Sequence, residues 1–494
     1  MISWIKKNKF SFLLLVLILL TGTFLRFYQI QGHATFLGDE GRDALIVKRM
    51  IVDHQWTLLG PTASFGNLYL GPIYYYFMIP GLLLANFNPV GPAMVVASFG
   101  VLALFLVWKI SYDFFGKPAA VCASGLYAIS QVIITHTRSS WNPNPMPFFS
   151  LLAIYSLYKT IQKRNGKWLI LVGGSLGVAL QLHYIAFALI ASIFLIILLF
   201  RPKIKAYWYG LGIISFLTAL SPQIMFELRH NFIDTRAMID FFLHRGDFTA
   251  SAGIGLDKLA PFTLYLRLFD HLVATDINVL GLFLGIVSGL TAFYFLYRQK
   301  SFQTKNLGLS ILLLWLFLGM IIIPLYRGKI HDHYLGFLFP TPFILLGFLF
   351  SRLWTNKVLR LLGILVLLLL LGINLKTTNP ISGIGPNYQI DRASKVAKSI
   401  ADDVGDKKFN LALVSATGDY MAMNYRYFLE LDGKKPEDYG NFDNIDVLYV
   451  IEEKKWVTPS ELGLWEVGTF GPNIPVRDWT FDFQVMVFRL EHKK

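Results

Sequence analysis

The sequence predicts a polytopic α-helical membrane protein that ends in a small mixed α/β domain. The 494-residue chain is 54% hydrophobic and only 15% charged, proportions that soluble domains rarely reach. Its first 375 residues contain many apolar runs, and a helix needs about 20 mostly apolar residues to cross a bilayer. From residue 376 to residue 494 the composition is mixed polar and charged. We therefore expect a transmembrane domain over 1–375 and an extracytoplasmic domain over 376–494.

The charges of the loops predict the topology. Cytoplasmic loops carry an excess of Lys and Arg, and basic residues recur at every second connection between the apolar runs. This pattern gives about eleven transmembrane helices in the plasma (inner) membrane, with the N-terminus in the cytoplasm and the C-terminal domain outside. The basic connections are Lys6/Lys7/Lys9, Lys109/Lys117, Lys163/Arg164/Lys167, Arg201/Lys203/Lys205, Arg298/Lys300/Lys305 and Arg352/Lys357/Arg360.

The same distribution argues against a nucleic-acid partner. Residues 376–494 hold 15 basic and 18 acidic residues, which leaves 30 basic and 13 acidic residues for the first 375. The net charge of +14 therefore lies in the short loops of the membrane part, where it orients the protein. The single cysteine, Cys122, excludes a disulfide framework.

Two segments of the first external loop are expected to lie in the membrane interface. Gly41–His54 has apolar residues at helical spacing, which is typical of a helix lying in the interface plane. Pro72–Phe87 is apolar but short and is broken by Pro80-Gly81, so we expect it to lie in or dip into the outer leaflet.

In the tail, alternating or apolar runs predict three strands and two helices. The strands are expected at 410–414, 447–451 and 484–490, and the helices at 391–402 and 422–431.

The first candidate for chemistry is Asp39-Glu40, a few residues after the first apolar run. Two adjacent carboxylates at a membrane surface are unfavourable unless they are paired, hydrated or metal-bound. One of them could act as a general base on an acceptor hydroxyl, and Asp39 could ligate a divalent metal ion. The alternative is an N-cap for the interfacial helix that follows. The two residues need not share one role.

Short external turns supply further candidates. Arg138 could bind a phosphate through its planar guanidinium. Trp141 could stack on a sugar, and Asn142 could form a hydrogen bond with one. The alternative is that these residues are interfacial anchors on a Pro-rich turn. His183, in a tight turn between two apolar runs, is either functional or a satisfied structural histidine. Glu227 could equally be a helix end that pairs locally with His230.

The external segment 326–334 is the last candidate. Two basic residues outside depart from the positive-inside trend, and a lipid phosphate at the headgroup level would stabilise them. Phosphate and substrate contacts are favoured over a metal site, because histidines two residues apart bind one ion only in extended or turn geometry. The residues concerned are Arg327, Lys329, His331, His333 and Tyr334.

All these groups fall on the outer face of the predicted topology, away from cytosolic nucleotides. Chemistry there needs a donor that has already been delivered through the membrane, and a sugar on a polyprenyl phosphate meets that requirement. The alternative function is a transporter or flippase of lipid-linked substrates, which predicts charges near the bilayer midplane and repeated halves. A non-catalytic receptor or scaffold is a further alternative, favoured if no cavity joins Asp39, Arg138 and Arg327.

The ordered motifs resemble C-type (GT-C) glycosyltransferases, in particular the bacterial group related to protein O-mannosyltransferases and the aminoarabinose transferase of lipid A. The resemblance covers roughly residues 1–350. It rests on Asp39-Glu40, Gly71-Pro72, Phe115-Gly116-Lys117, Arg138 and Arg327-Gly328-Lys329…Tyr334.

The resemblance implies eleven to thirteen spans and interfacial helices in the first external loop. It also implies inverting, mannosyltransferase-like transfer from a polyprenyl-phosphate sugar to a hydroxyl acceptor. Asp39 would be the catalytic base or a metal-contacting acid, and Arg327 and Lys329 would hold the donor phosphate.

Two departures from the family pattern matter. Where the family places an Asp in the second external loop, this chain has Asn142 and Asn144, so a second anionic metal ligand is missing. The member acting on lipid A has acidic and basic residues just before the proline at 72, where this chain has Leu70-Gly71. A cofactor is therefore not assigned, and a divalent ion at Asp39 is left open.

Overall fold

The computed structural model describes residues 8–63, 68–243, 260–298, 307–325, 330–378, 385–415, 417–454, 463–482 and 485–493. These residues form a helical part followed by a unit with a β-sheet. Helices dominate the apolar part because the bilayer offers no partners to backbone N–H and C=O groups, which must therefore be satisfied within the chain.

The helices of the first half are α1 (Lys9–Phe27), α2 (Ile30–His33), α3 (Gly38–Val52), α4 (Ile73–Leu84), α5 (Val90–Phe115), α6 (Lys117–Ile129), α7 (Gln131–Thr137), α8 (Met146–Lys163), α9 (Trp168–Leu182), α10 (Ala186–Phe200), α11 (Tyr207–Ala219), α12 (Ser221–Arg229) and α13 (Ile233–Leu243). Next come α14 (Ala260–Leu272), α15 (Asn278–Tyr297), α16 (Leu307–Ile322), short 3₁₀ segments at Ile323–Leu325 and Asp332–Leu338, α17 (Thr341–Leu353) and α18 (Lys357–Thr378).

Within the described residues, the protein has the apolar helices of an integral membrane protein. Four of them, α1, α5, α15 and α18, are each long and apolar enough to cross a membrane. Three bent pairs raise this number to seven if each pair is one span: α6 with α7, α11 with α12, and Asp332–Leu338 with α17. Shorter apolar helices include α9, α10 and α16. The expected total of about eleven spans stays a prediction.

Two helices of the first loop correspond to the segments expected in the membrane interface, and their position in the membrane stays a prediction. In α3, Ala44, Leu45, Val47 and Met50 are buried, as the spacing of its apolar residues predicted. The 12 residues of α4 extend over about 18 Å, well short of the roughly 30 Å hydrocarbon core.

The C-terminal unit (residues 385–493) contains a four-stranded sheet and three helices in its described parts. The strands are β1 (Phe409–Val414), β2 (Val447–Glu452), β3 (Asn473–Phe481) and β4 (Val485–His492), and the helices are α19 (Gln389–Val404), α20 (Met423–Leu431) and α21 (Trp465–Phe470). The strand order is β1-β2-β4-β3. The first pair is parallel and the other two pairs are antiparallel. The sequence predicted β1, β2, β4, α19 and α20 but neither β3 nor α21.

The C-terminal unit packs directly on α3 through α20. At the crossing, a Cβ atom added to Gly41 would lie 2.3 Å from the backbone N of Asn424, so only glycine allows this approach. Glu430 forms ion pairs with Arg49 and, at 3.5 Å, with Lys48. The Tyr427 hydroxyl donates to a carbonyl of the loop after α4. The C-terminal unit therefore contacts α3 both near its start, at Gly41, and in its last turn, at Arg49.

Candidate active site

A cavity of about 540 Å³ lies where α3, the loop after α7 and the C-terminal unit meet. We call it the large cavity. Its lining comes from three separate parts of the chain: residues 35–42, residues 135–144 and residues 417–423. The lining residues are Thr35, Leu37, Gly38, Asp39, Glu40, Arg42, Thr135, His136, Ser139, Trp141, Asn144, Thr417, Gly418, Asp419, Met421 and Met423.

A second, small cavity of about 40 Å³ shares a wall with the large one. Asp39, Arg42 and Trp141 line both. The small cavity adds the predicted residues Asn142, His183, His333 and Tyr334, together with Thr62, Ala63, Leu70, Pro143 and Tyr184. The structure thus brings together side chains that the sequence placed in four separate loops.

Asp39 lies in the first turn of α3, on the wall between the two cavities. Its side chain is 55% exposed, and its Oδ1 is 2.8 Å from a guanidinium nitrogen of Arg42. A negative charge in the first turn is favoured by the helix dipole. Asp39 is therefore an accessible carboxyl group that a molecule in either cavity can contact.

Glu40 has a different environment from its neighbour. It is buried, and its Oε2 accepts a hydrogen bond from the backbone N–H of Leu37 at 3.0 Å. Burial raises the pKa of Glu40 to about 7. The N-cap of α3 is Leu37, so neither Asp39 nor Glu40 is the N-cap that the alternative interpretation expected. Glu40, at the third helical position, instead makes the reciprocal contact of a capping box with the N-cap N–H. A catalytic role for Glu40 stays a prediction.

Sequence analysis missed Asp43, which is fully buried one turn further along α3. Its Oδ1 accepts hydrogen bonds from Arg42 at 2.8 and 3.0 Å and from the Tyr75 hydroxyl at 3.2 Å. Its Oδ2 has no partner among the described residues. Burial raises the pKa of Asp43 to about 6, against the opposing effect of Arg42. Arg42 thus bridges Asp39, which lies three residues before it on the helix surface, and Asp43, its neighbour in the chain.

The loop after α7 contributes its predicted residues in different ways. Trp141 lines both cavities, and the Asn142 amide donates to the Leu182 carbonyl at 2.7 Å, which ties this loop to the turn at His183. Arg138 points elsewhere: its guanidinium donates to the carbonyls of Leu25 at 2.5 Å and Tyr28 at 3.3 Å, at the end of α1. The expected phosphate contact of Arg138 stays a prediction.

Aromatic and histidine rings cluster beside the small cavity. The His333 ring lies 4.4 Å from Trp141, 5.8 Å from His183 and 4.6 Å from Tyr334, between ring centres. The His331 ring is 5.6 Å from that of His333. Burial lowers the pKa of His183 to about 4, so its imidazole is neutral at physiological pH. Its Nδ1 accepts the N–H of Ile185 at 3.1 Å, which leaves Nε2 as the N–H donor.

Three predicted features fall outside these cavities or outside the described residues. Arg327 and Lys329 lie outside the described residues, and the described chain resumes at Ile330. Glu227 accepts hydrogen bonds from the backbone of Asp234 and from Thr235, so it caps α13. In the described part of the chain, no group of three or more His, Cys, Asp or Glu residues could hold a metal ion. A divalent ion at Asp39 stays a prediction.

Comparison with known proteins links part of the chain to one family. Residues 70–226 match the family model of dolichyl-phosphate-mannose-protein mannosyltransferases. No curated protein matches the chain.

The fold resembles that of a solved bacterial enzyme over nearly its whole length. ArnT from Cupriavidus metallidurans bound to undecaprenyl phosphate superposes with a TM-score of 0.62 and 15% sequence identity, over 98% of each chain. The same protein in its apo state superposes with a TM-score of 0.53 and 14% identity, over 96% of this chain and 97% of that one. Together with the family match, this likeness confirms the resemblance to C-type membrane glycosyltransferases.

Proposed function

We propose that the protein transfers a glycosyl group from a polyprenyl-phosphate-linked donor to a hydroxyl acceptor at the outer face of the membrane. The observation that carries this proposal is the position of Asp39, an accessible carboxylate on the wall shared by two cavities. One cavity takes the acceptor and the other takes the reacting end of the donor. The undecaprenyl phosphate bound to the structurally similar ArnT supports a polyprenyl phosphate donor here.

In the proposed reaction, Asp39 is the general base. The acceptor oxygen bonds to the anomeric carbon while the bond from that carbon to the phosphate oxygen breaks. The acceptor proton passes to Asp39, and the polyprenyl phosphate leaves with the bonding electron pair. Attack from the face opposite the leaving group inverts the anomeric carbon.

Charge on the leaving phosphate must be stabilised as it develops. Arg42, which lines the small cavity, and Arg327 and Lys329, which precede His331 in sequence, are the cations proposed for this task. Neutral His183 would donate a hydrogen bond there without adding charge. Since Arg42 also holds Asp39 at 2.8 Å, the base and the phosphate site are linked through one side chain.

The proposal includes an orientation and a division of the chain. Residues 1–375 form the catalytic membrane domain, with the N-terminus in the cytoplasm of the plasma (inner) membrane. Residues 376–494 form the extracytoplasmic domain. The packing of α20 on α3 supports placing that domain on the same side of the membrane as Asp39.

The decisive variant is Asp39→Asn in the purified full-length protein. We expect it to lower the release of polyprenyl phosphate from a panel of lipid-linked monosaccharides by about 10²- to 10⁴-fold, the usual contribution of a general base. Asp53→Asn is the matched control, since Asp53 ends the same helix, is 40% exposed and lines neither cavity.

Full activity of the Asp39→Asn variant would show that Asp39 is not the general base. Movement of the lipid-linked sugar between leaflets, with no release of polyprenyl phosphate in any preparation, would instead indicate a flippase.

A further inference from the structure

A loop of the C-terminal unit forms one wall of the large cavity. Thr417, Gly418, Asp419, Met421 and Met423 all line it. This wall lies far along the chain from α3, and it is held there by α20, which begins at Met423. The unit therefore supplies part of the cavity surface in addition to its packing on α3.

Asp419 places a second carboxylate close to Asp39. A Cβ atom added to Gly38, the residue before Asp39, would lie 2.5 Å from an Asp419 carboxylate oxygen, which shows how closely the two chain segments approach. The Oδ1 of Asp419 accepts the backbone N–H of Met421 at 3.1 Å, which fixes the side chain. Burial raises the pKa of Asp419, and the charge of Asp39 acts in the same direction.

Asn144 adds an independent sign that this cavity accepts a hydrogen-bond donor. Its amide nitrogen donates to the Ser139 carbonyl at 2.9 Å. Its Oδ1 is buried and has no partner among the described residues, although Asn144 lines the cavity and is only 6% exposed. A buried carbonyl oxygen without a donor is unfavourable, and a hydroxyl group of a bound molecule would satisfy it.

The charges around the cavity discriminate between acceptor classes. Three carboxyl groups line it, those of Asp39, Glu40 and Asp419, against the single guanidinium of Arg42. Carboxylates accept hydrogen bonds from hydroxyls and repel anions. The Trp141 ring supplies an apolar face on which a sugar ring can stack. This surface fits an uncharged, polyhydroxylated molecule and disfavours a phosphate-bearing one.

We propose that the acceptor is an uncharged saccharide and that Asp419 of the C-terminal unit is an acceptor-binding residue. Saccharide hydroxyls donate to Asp419 and to Asn144, and the reacting hydroxyl lies at Asp39. This inference rests on the proposed glycosyl transfer and names its acceptor class.

The test uses the purified full chain, a lipid-linked monosaccharide donor and short neutral oligosaccharides as acceptors, with the phosphomonoesters of the same oligosaccharides in parallel. For Asp419→Asn we expect the KM for the neutral acceptor to rise about ten- to a hundredfold, the range for one hydrogen bond to a charged group. Asp443→Asn, an exposed carboxylate of the same unit, is the control.

A second variant, Asn144→Leu, keeps the test decisive if Asp419→Asn folds poorly, and it too should raise the acceptor KM. An unchanged acceptor KM in both variants would overturn the inference, as would preferential use of the phosphorylated acceptors. The Asp39→Asn variant distinguishes a wrong acceptor assignment from a wrong proposed function. If Asp39→Asn abolishes donor turnover while Asp419→Asn has no effect, only the acceptor assignment is lost.

Discussion

At the scale of single residues, the carboxyl groups of α3 differ by burial. Asp39 is exposed, whereas Glu40 and Asp43 are buried, with pKa values raised to about 7 and about 6. A carboxyl group with a raised pKa in the folded protein stabilises the fold most at low pH. That contribution is lost as the pH rises through the folded-state value. For Glu40 the loss falls between the ordinary value of 4.5 and about 7.

This difference predicts a pH-dependent stability that Glu40 controls in part. Between about pH 5 and about pH 8, the free energy of unfolding should fall, and Glu40 should contribute about 1–3 kcal/mol of the fall. The Glu40→Gln side chain is uncharged at both pH values and keeps an oxygen for the Leu37 N–H. The free energy of unfolding of this variant should therefore fall less between the two pH values. Thermal unfolding in detergent across this range measures the effect. Asp443→Asn should behave as the unchanged protein does, and an equal fall in Glu40→Gln would contradict the prediction.

At this scale, the sequence identified which residue types could act but not where their side chains point. Trp141 and His183 lie beside the cavities as expected, whereas the Arg138 guanidinium lies on the carbonyls that end α1. An arginine in a short external turn can bind either a phosphate or the free carbonyls at the end of a neighbouring helix, and the sequence does not distinguish the two. Asp43 was missed because its partner Tyr75 lies on another helix.

At the scale of elements, the contact between α3 and α20 links the two parts of the chain. Glu430, whose side chain is 8% exposed, pairs with Lys48 and Arg49. Removal of its charge takes the ion-pair partner from Arg49 and leaves Lys48 with Asp53, at 3.7 Å, in a largely buried contact.

We expect Glu430→Gln to lower the free energy of unfolding by about 1–3 kcal/mol. It should also increase cleavage between the helical part and the C-terminal unit in limited proteolysis. Asp432→Asn, two residues away and exposed, serves as the control. A Glu430→Gln protein with unchanged melting temperature and cleavage would show that this ion-pair group does not hold the unit on α3.

Element prediction succeeded where hydrophobic periodicity was strong. The helix expected at 41–54 is found as α3, while its place in the membrane interface stays a prediction. The strands expected at 410–414 and 447–451 are found as β1 and β2. β3 was missed because its residues are mostly exposed and include Pro475, Arg477 and Asp478, so no alternation marks it. Between α6 and α7 the chain bends by 61° at Ser130, whose extended backbone interrupts the helix.

At the scale of the whole molecule, the asymmetric distribution of charge predicts an orientation that labelling can test. Cys122 is buried and is the only cysteine, so Cys122→Ala gives a background without thiols. In that background, Asp53→Cys should react with a membrane-impermeant maleimide in intact cells. Lys203→Cys lies in a basic loop that is predicted to be cytoplasmic, so it should react only after the membrane is permeabilised. The opposite pattern would invert the proposed topology and place Asp39 on the cytoplasmic side.

The whole-molecule arrangement of the site could be predicted only in part. Loop charges and short motifs placed Asp39, Trp141, His183 and His333 on one face, and the structure gathers them around two adjoining cavities. No sequence pattern connected Asp419 with Asp39, because tertiary packing of α20 alone brings them together. That packing depends on glycine at position 41, and the sequence alone gives no sign of its partner.

The wall that Asp39, Arg42 and Trp141 share between the two cavities has a consequence for the order of events in one turnover. In the proposed reaction, two adjoining compartments would allow both substrates to be resident at once, the donor arriving by lateral diffusion in the lipid and the acceptor from the aqueous phase. Turnover would then proceed through a ternary complex in a single displacement, with no glycosylated protein as an intermediate.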